Sequence, residues 1–298
     1  MDLSERQNSK KALRLLKAQR QLYSEAKLWW RWDFILTVVI TSIISILRVA
    51  LPSIDLSIVA GTWAILITVL SICWISPTFR RKQGEAAAIQ EEIDCEFLQI
   101  PSSALTKKVP TDKIVDLASK YDRLKKPEGD LRDWYPQELG KLPDEIVTAA
   151  GQRINSRWDD RLRTRYTAFL VVLLVAFALV ILGIGVLLDK TIPAILLSTL
   201  LPLLPGLVFL IKQLRENSAT VQRLAELAGH SQKRLDLLMA GETPPCSSRD
   251  VQNEILQHRR SVALIPDWFF QRFRENEEQS MRAYAKHLAD EFQSRHGG

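Results

Sequence analysis

Four arginines recur at every fourth position of one segment of the chain: Arg153, Arg157, Arg161 and Arg165. If this segment is a helix, that spacing places the four guanidinium groups in one row along its surface. Guanidinium groups bind phosphates through paired hydrogen bonds, so the row suits a polyanionic ligand. Arginines at the end of a membrane-spanning helix also hold lipid headgroups. The spacing by itself fits either role.

Aromatic and amide side chains before and within the same segment could complete a nucleotide site, because aromatic rings stack on bases and amides bond to base edges. The candidate ligand-binding residues are Trp134, Tyr135, Gln152, Arg153, Asn155, Trp158 and Arg161. The alternative is that Trp158 and Tyr166 anchor the helix at a membrane interface.

The sequence motifs of common catalytic sites are missing. The chain has no glycine-rich phosphate loop, no nucleophile elbow and no dinucleotide fingerprint. Its three cysteines, Cys73, Cys95 and Cys246, are scattered, and its four histidines show no metal-ligand spacing. We therefore expect a protein that is not an enzyme and that has no catalytic residue, no metal and no cofactor.

The elements that must position the arginines are dominated by four apolar runs of 18 to 22 residues. At about 1.5 Å per residue, each run is long enough to cross a hydrocarbon core, where the backbone must be helical. The predicted spans are residues 34–51, 56–75, 167–188 and 192–211. Because the links within each pair are short, the sequence predicts an all-α integral membrane protein with two transmembrane helical hairpins.

Basic residues flank both hairpins on the side opposite their tips, which predicts that both termini and the middle segment are cytoplasmic. The predicted parts are an N-terminal amphipathic helix (1–33), hairpin 1 (34–75), a middle domain (76–165), hairpin 2 (166–211) and a helical C-terminal region (212–298). The N-terminal helix either lies on anionic lipid or packs on the cytoplasmic domain.

Small and hydroxyl side chains form a stripe on each of the first two spans. The stripes are Thr37, Thr41, Ser45 and Arg48 in the first span, and Ser57, Gly61, Ala64, Thr68 and Ser71 in the second. One interpretation is that they line a water path in an oligomer, with the arginine at its mouth. The other is that the two stripes pack against each other within the hairpin, with the arginine reaching the interface or pairing with Asp55.

Two prolines, Pro202 and Pro205, lie inside the predicted fourth span. Each removes a backbone hydrogen bond, so we expect a kink in this helix and consider it a candidate gating element.

Short motifs in a fixed order around the two hairpins are similar to those of a known family. They include Gln7-Asn8, Asp94-Cys95, Trp134-Tyr135-Pro136, Gln152-Arg153, Asn155, Trp158-Asp159 and Ile265-Pro266-Asp267-Trp268. In this arrangement the chain resembles the SMODS-associating four-transmembrane effectors of bacterial antiviral immunity. One departure is Gly151, where the family pattern usually has a cysteine.

The resemblance implies a pore-forming effector beside a nucleotidyltransferase of the cGAS/DncV-like class. A cyclic di- or trinucleotide messenger, bound directly or through a partner, would drive a homo-oligomer to breach the bacterial inner membrane and cause abortive infection. Neither DNA nor RNA is expected as a partner. The alternative from the residues alone is a constitutive membrane scaffold or channel subunit whose cytoplasmic part binds protein.

Overall fold

A computed structural model describes residues 2–51, 53–104, 106–125, 128–187 and 200–296, together with residues 191 and 193. Within these ranges the secondary structure is helical, without a strand. The chain divides into two compact units. The first unit consists of Met1–Glu25, Arg81–Arg163 and Thr220–Gly298, and the second of Ala26–Arg80 and Thr164–Ala219.

The helices differ widely in length. In chain order they are α1 (Leu3–Gln7), α2 (Lys10–Phe34), α3 (Thr41–Ala50), α4 (Ser57–Leu70), α5 (Ser76–Phe97), α6 (Thr111–Arg123), α7 (Asp144–Leu187), α8 (Leu201–Met239), α9 (Ser248–Ser261) and α10 (Asp267–His296). A π-helical segment, Ile35–Ile40, joins α2 to α3, and another, Ser71–Ile75, joins α4 to α5. Short 3-10 turns occupy Glu128–Leu131 and Gln137–Lys141.

Three helical stretches in the described part of the chain are long and apolar enough to cross a membrane: Lys10–Arg48, Ser57–Phe97 and Asp144–Gly183. They contain most of the first three predicted spans. Their apolar side chains are largely exposed, as for Ile65 and Val172, which suits contact with lipid. The chain is therefore a helical membrane protein.

The predicted fourth span lies partly outside the described residues. In the described part of α8, which begins at Leu201, Pro205 lies inside the helix. A proline inside a helix removes one intrahelical hydrogen bond. The kink and its gating role stay predictions.

Two connections between helices follow from the local sequence. The N-terminal helix continues into the first span, because no proline or glycine interrupts the chain between Lys10 and Ala50. Helix α5 runs to Phe97, and the chain then turns so that the N–H of Ile100 donates to the carbonyl of Cys95 at 3.0 Å. These apolar residues are buried and anchor the helix end.

The core of the first unit gathers side chains from α1, α2, α5, α6, α7 and α10. Leu15 and Leu22 of α2 are almost fully buried in one cluster with Ile89 and Ile93 of α5. This burial supports the second alternative for the N-terminal helix, which is packing on the protein and not on lipid.

Candidate functional site

The helix that carries the four arginines is α7, and its two ends follow from local sequence. Pro143 precedes it, and Asp144 and Glu145 occupy its first turn, where acidic groups are favoured by the helix dipole. It continues without a break to Leu187, as the sequence predicts. The candidate ligand residues on α7 divide between two of its faces.

The first face of α7 is buried in a network of polar side chains. Gln152, which is fully buried, donates to the carbonyl of Ser248 at 2.7 Å and to Gln252 Oε1 at 3.3 Å. Asn155 donates to Tyr135 Oη at 2.7 Å. We call this set the polar network; its members are Glu91, Asp94, Tyr135, Gln152, Asn155, Arg249, Gln252 and Arg259.

Asp94 of α5 is the centre of the polar network and is fully buried. Its carboxylate accepts from Tyr135 Oη at 3.1 Å, from Arg259 Nη1 at 2.5 Å and from Gln252 Nε2 at 3.2 Å. Burial alone lowers the pKa of Arg259, but the Asp94 carboxylate outweighs it and the pKa is raised. Burial and the Asp94 charge raise the pKa of Tyr135 well above its ordinary value, so its hydroxyl stays protonated.

A second carboxylate, Glu91, lies one helical turn before Asp94 on α5. It accepts from Arg249 Nη2 at 2.5 Å and from Gln252 Nε2 at 2.9 Å. Cys95 lies beside this pair, and burial together with the Glu91 charge raises the pKa of its thiol to about 12. Helix α9 is therefore bound to α5 mainly through charged and amide side chains.

A third carboxylate, that of Asp159 on α7, also binds α9. It lies 2.6 Å from His258 Nε2 and 2.9 Å from Arg163 Nε. Burial raises the pKa of Asp159, but the Arg163 charge and the His258 contact outweigh burial, so its pKa lies well below the ordinary range. The Asp159 carboxylate on this face of α7 is thus ionised and paired with Arg163 and His258.

Two reciprocal hydrogen bonds with Gln7, near the N-terminus, hold Tyr135 in the polar network. Gln7 Nε2 donates to the carbonyl of Tyr135 at 3.2 Å, and the Tyr135 N–H donates to Gln7 Oε1 at 2.8 Å. Asn8 makes a related pair with Asp133, which has a φ of 50°: Asn8 Nδ2 donates to the Asp133 carboxylate at 2.9 Å, and the Asp133 N–H donates to Asn8 Oδ1 at 3.2 Å. Residues from four of the motifs that carry the family resemblance, together with its Asn155, therefore meet in one place: Gln7, Asp94, Tyr135, Gln152 and Asn155.

The second face of α7 carries the arginines and is partly open to solvent. Arg153 stacks on the ring of Tyr284, with its guanidinium carbon 3.9 Å from the ring centroid, and it donates to Gln232. Arg157 pairs with Asp160 at 3.3 Å. Arg161 donates to Ser280 Oγ and pairs with Glu277, both on α10. We call Arg153, Arg157 and Arg161 the arginine face; Arg165 belongs to the second unit.

The predicted ligand residues are therefore not one cluster. Tyr135, Gln152 and Asn155 lie in the polar network, while Arg153 and Arg161 lie on the arginine face. Trp158 packs beside Phe270 with ring centroids 6.3 Å apart, and Trp134 has the Arg20 guanidinium 5.5 Å from its ring. That any of them binds a ligand stays a prediction. The inward face is more simply explained as the support of the outward one.

Sequence reasoning missed the residues that complete both faces. Glu277 and Ser280 on α10 and Gln232 on α8 contact the arginines. A signal for the polar network is present in the sequence, since Glu91 and Asp94 are three residues apart and share one face of α5. Among the described residues, no group of three His, Cys, Asp or Glu side chains could hold a metal ion.

Gly151, which departs from the family pattern, has a packing reason in this chain. A Cβ built at this position would lie 2.6 Å from Cδ2 of Leu98, which is almost fully buried. The glycine therefore makes room for the Leu98 side chain at the end of α5.

The two hydroxyl stripes of the second unit differ in environment. Thr37, Thr41 and Ser45 are buried, and their hydroxyls donate to the carbonyls of Asp33 at 2.5 Å, Leu36 at 3.2 Å and Thr41 at 2.9 Å. Trp63 Nε1 of α4 donates to Thr41 Oγ1 at 3.1 Å. This stripe therefore packs inside the single chain.

The stripe of the second span is mostly on the outside of the single chain. Ser57, Gly61 and Thr68 are exposed, and Ala64 and Ser71 are partly exposed. Among the residues that the structure describes, none would lie within 4 Å of a Cβ built at Gly61. Trp63 and the buried Ala60 and Ile67 of α4 turn another face inward, which disfavours the interpretation that the two stripes pack against each other.

The arginine at the end of the first stripe also has a defined surrounding charge. Hydrogen bonds from Ser57 lower the pKa of Asp55 in the link between the spans, and the Arg48 charge lowers it further. The pairing of Arg48 with Asp55 stays a prediction. A pore-lining role of either stripe stays a prediction.

These features define a class: a helical membrane protein with a separate unit in which an arginine-bearing helix face rests on a buried ionic network. The family model described as the SMODS-associating 4TM effector domain matches residues 1–288, and the chain belongs to this family. The resemblance expected from the motifs is thereby confirmed. The family is one of effectors and not a known class of enzyme.

One relative of known description matches almost the whole chain. It is a protein of Bacillus cereus (strain VD146) named "Probable CBASS effector molecule", which is 22% identical over 279 residues, covering 89% of this chain and 91% of the relative. No solved structure gives a significant match.

Proposed function

We propose that this protein is an effector of bacterial antiphage defence, which breaches the inner membrane when a cyclic oligonucleotide messenger binds to its first unit. Membership of the SMODS-associating effector family and the name of the Bacillus cereus relative support a role in CBASS defence. The messenger is a cyclic di- or trinucleotide made by a nucleotidyltransferase of the cGAS/DncV-like class. The loss of membrane integrity ends the infected cell's growth before the phage is released.

The observation that carries the messenger proposal is the arginine face. Two of its guanidinium groups, those of Arg157 and Arg161, are nearly half exposed, so a ligand in solution can reach them. Successive arginines on this face are about 6 Å apart along the helix, and each can bind one phosphodiester through two hydrogen bonds. The ring of Tyr284 lies beside Arg153 and supplies a surface for a base.

The helix that bears these arginines offers a route to the membrane. α7 is continuous from Asp144 to Leu187 and includes the third predicted span. A ligand can drive a change in a membrane helix only if it binds two conformations with different affinity. A continuous helix that carries both the ligand contacts and the span is a direct means of coupling them.

The test is the release of a small dye from liposomes that contain the purified full-length protein. Dye release is recorded before and after addition of a panel of cyclic di- and trinucleotides. We expect release with one messenger and no release without it. No release with any messenger from correctly inserted protein would overturn the direct trigger. Release without any messenger would favour the constitutive channel.

Variants connect the trigger to the arginine face. Arg161→Ala should weaken messenger binding about tenfold or more, since a lost charge-assisted hydrogen-bond pair amounts to at least about 1.4 kcal/mol. Arg132→Ala is the matched control, because Arg132 is similarly exposed and pairs with Glu128, four residues before it, away from α7 in sequence. Equal effects of the two substitutions would contradict the placement of the site.

We also propose that the active form is a homo-oligomer assembled within the bilayer. The exposed face of α4 supports this, because Gly61 and its neighbouring small residues leave room for a second helix to approach closely. Large exposed side chains such as Ile58 and Ile65 flank that face. Both termini lie on the cytoplasmic side in this proposal, as the distribution of basic residues predicts.

A further inference from the structure

The arginine face already has an anion on it, supplied by the protein. Glu277 of α10 places its carboxylate 3.4 Å from Nη1 of Arg161, and Ser280 accepts a hydrogen bond from the same nitrogen at 2.7 Å. The Glu277 side chain is only 5% exposed, whereas that of Arg161 is 43% exposed. A buried carboxylate thus occupies the inner side of a guanidinium group whose outer side is open to solvent.

A second contact aligns α10 with the arginine face. Tyr284 lies under the guanidinium group of Arg153. Arg153 and Arg161 are eight residues apart, about 12 Å along α7, and Tyr284 and Glu277 are seven apart, about 10.5 Å along α10. The two helices therefore meet in antiparallel register, with one contact at each end of the matched stretch.

The stretch of α10 that meets the arginines is held differently from its flanks. In residues 270–284, all of which the structure describes, Glu277 is the one residue that is less than a tenth exposed. Phe269 before this stretch and Ala285, Leu288 and Ala289 after it are buried apolar residues. Apolar burial therefore fixes the two ends of the stretch, while within it the buried carboxylate of Glu277 faces Arg161 and Tyr284 stacks on Arg153.

We propose that Glu277 is an internal substitute for a phosphate group, so that residues 270–284 form a clamp that an external phosphate displaces from Arg161. This rests on the proposed function, because it assigns the same arginines to the messenger. A carboxylate and a phosphodiester bind a guanidinium group with the same geometry and compete for it directly. The phosphate gains access only when the clamp opens, so the clamp lowers the apparent affinity by the fraction of molecules that are open.

The clamp selects which anions can occupy the arginine face, and its displacement is the response to their binding. A single inorganic phosphate competes poorly, whereas a ligand with two or three phosphodiesters reaches Arg153, Arg157 and Arg161 together and replaces both contacts of α10. Displacement removes the Arg161 contact of the buried Glu277 carboxylate, which weakens the attachment of the clamp to α7.

The first experiment needs no messenger. Hydrogen exchange of the full-length protein in detergent is followed separately for residues 270–284 and 285–296 in the wild type, in Glu277→Gln and in Glu275→Gln. We expect exchange of the clamp to rise at least about fivefold in Glu277→Gln, with residues 285–296 unchanged. Glu275 is an exposed carboxylate on the same helix, so its substitution should change exchange by less than twofold.

The second experiment uses pyrophosphate as the probe, compared with sodium chloride at equal ionic strength. Pyrophosphate should raise exchange of the clamp in the wild type and have little further effect in Glu277→Gln. Arg161→Gln should also raise exchange of the clamp, and the double variant should raise it by less than the sum of the two single effects, because both variants remove the Arg161–Glu277 contact. Unchanged exchange in Glu277→Gln, together with no specific effect of pyrophosphate, would overturn the clamp.

Dye release separates this inference from the proposed function. If a messenger triggers release, Glu277→Gln should lower its half-maximal concentration about fivefold or more, and an unchanged value would overturn the clamp while the function stands. If the exchange results are as expected but no messenger triggers release, the clamp stands and the trigger is wrong. Ser280→Ala is the milder variant if Glu277→Gln folds poorly, with a smaller change in the same direction.

Discussion

Removal of the Arg259 guanidinium should destabilise the first unit more than any single change on its surface. Asp94 is fully buried, and Arg259 is the cationic side chain that contacts it, at 2.5 Å. Loss of one partner from a buried ion pair costs about 3–5 kcal/mol, because the other charge stays buried without compensation. Tyr135 and Gln252 still donate to Asp94, so we expect Arg259→Gln to cost about 3 kcal/mol, at the lower end of that range.

This cost can be measured as a shift of the unfolding temperature. For a unit of this size about 1 kcal/mol corresponds to roughly 2–4 °C, so Arg259→Gln should lower the midpoint by about 6–12 °C. Thermal unfolding of the full-length protein in detergent, followed by circular dichroism, gives the midpoint. Hydrogen exchange of α9, residues 248–261, shows whether the loss is located at the polar network.

Two further variants decide whether the ion pair is the cause. Arg260→Gln, one residue along the same helix and more exposed, is the charge-matched control and should shift the midpoint by less than about 2 °C. Asp94→Asn combined with Arg259→Gln should recover part of the loss, because the buried charge is then gone as well. If Arg259→Gln alone falls within about 2 °C of the wild type, or the double variant is the sum of its parts, the reasoning is refuted.

Three more outcomes follow from single positions. Acid should destabilise the wild type more steeply than Asp159→Asn below about pH 4. The pKa of Asp159 is lower in the folded state than its ordinary value, so the ionised carboxylate stabilises the fold above that ordinary pKa, and protonation removes this stabilisation. Unfolding midpoints measured from pH 7 to 3 test this, and parallel curves for the two proteins would contradict it. Gly151→Cys should lower the free energy of unfolding in denaturant by about 1–3 kcal/mol, because its Cβ would press on Leu98. Leu98→Ala in the same chain should relieve part of this loss. An unchanged free energy of unfolding in Gly151→Cys would show that the contact with Leu98 is absent. Gly61→Leu should reduce cross-linked oligomer in liposomes, whereas Gly183→Leu, at an equally open glycine outside the stripe, should not; equal effects would reject α4 as the contact.

The membrane helices could be predicted because length and hydropathy decide them locally. A run of about 20 apolar residues has one stable form in lipid, and most of each of the first three predicted runs lies in the helical stretches Lys10–Arg48, Ser57–Phe97 and Asp144–Gly183. The start of α10 at Asp267 after Pro266 was equally local. In each case the signal and the structure it specifies lie within one turn or one helix.

The polar network could not be predicted in the same way, because its partners come from distant parts of the chain. Asp94 and Arg259 are 165 residues apart, and Glu91 and Arg249 are 158 apart. Helical periodicity reports which side chains share a face of one helix, but it does not identify the helix that they meet. The candidate ligand residues were therefore grouped by closeness in sequence, although Gln152 and Arg153 point to different faces of α7.

The arginine row shows the same limit in its geometry. At 3.6 residues per turn, every step of four residues advances about 40° around the helix, so four arginines turn through about 120° and cannot all meet one partner surface. Arg153 reaches Tyr284 and Arg161 reaches Glu277, while Arg157 between them pairs with Asp160 of its own helix.

The two hydroxyl stripes show why the same pattern can have opposite outcomes. A serine or threonine that bonds to a carbonyl one turn earlier satisfies its own hydroxyl, so it tolerates either a protein or a lipid environment. The first stripe is buried because α8 approaches it closely: a Cβ built at Gly206 would lie 3.2 Å from the carbonyl oxygen of Thr37. In the described part of the chain nothing approaches Gly61 in this way. A stripe is thus a surface that allows close contact, and the presence of a glycine on a facing helix decides whether that contact forms.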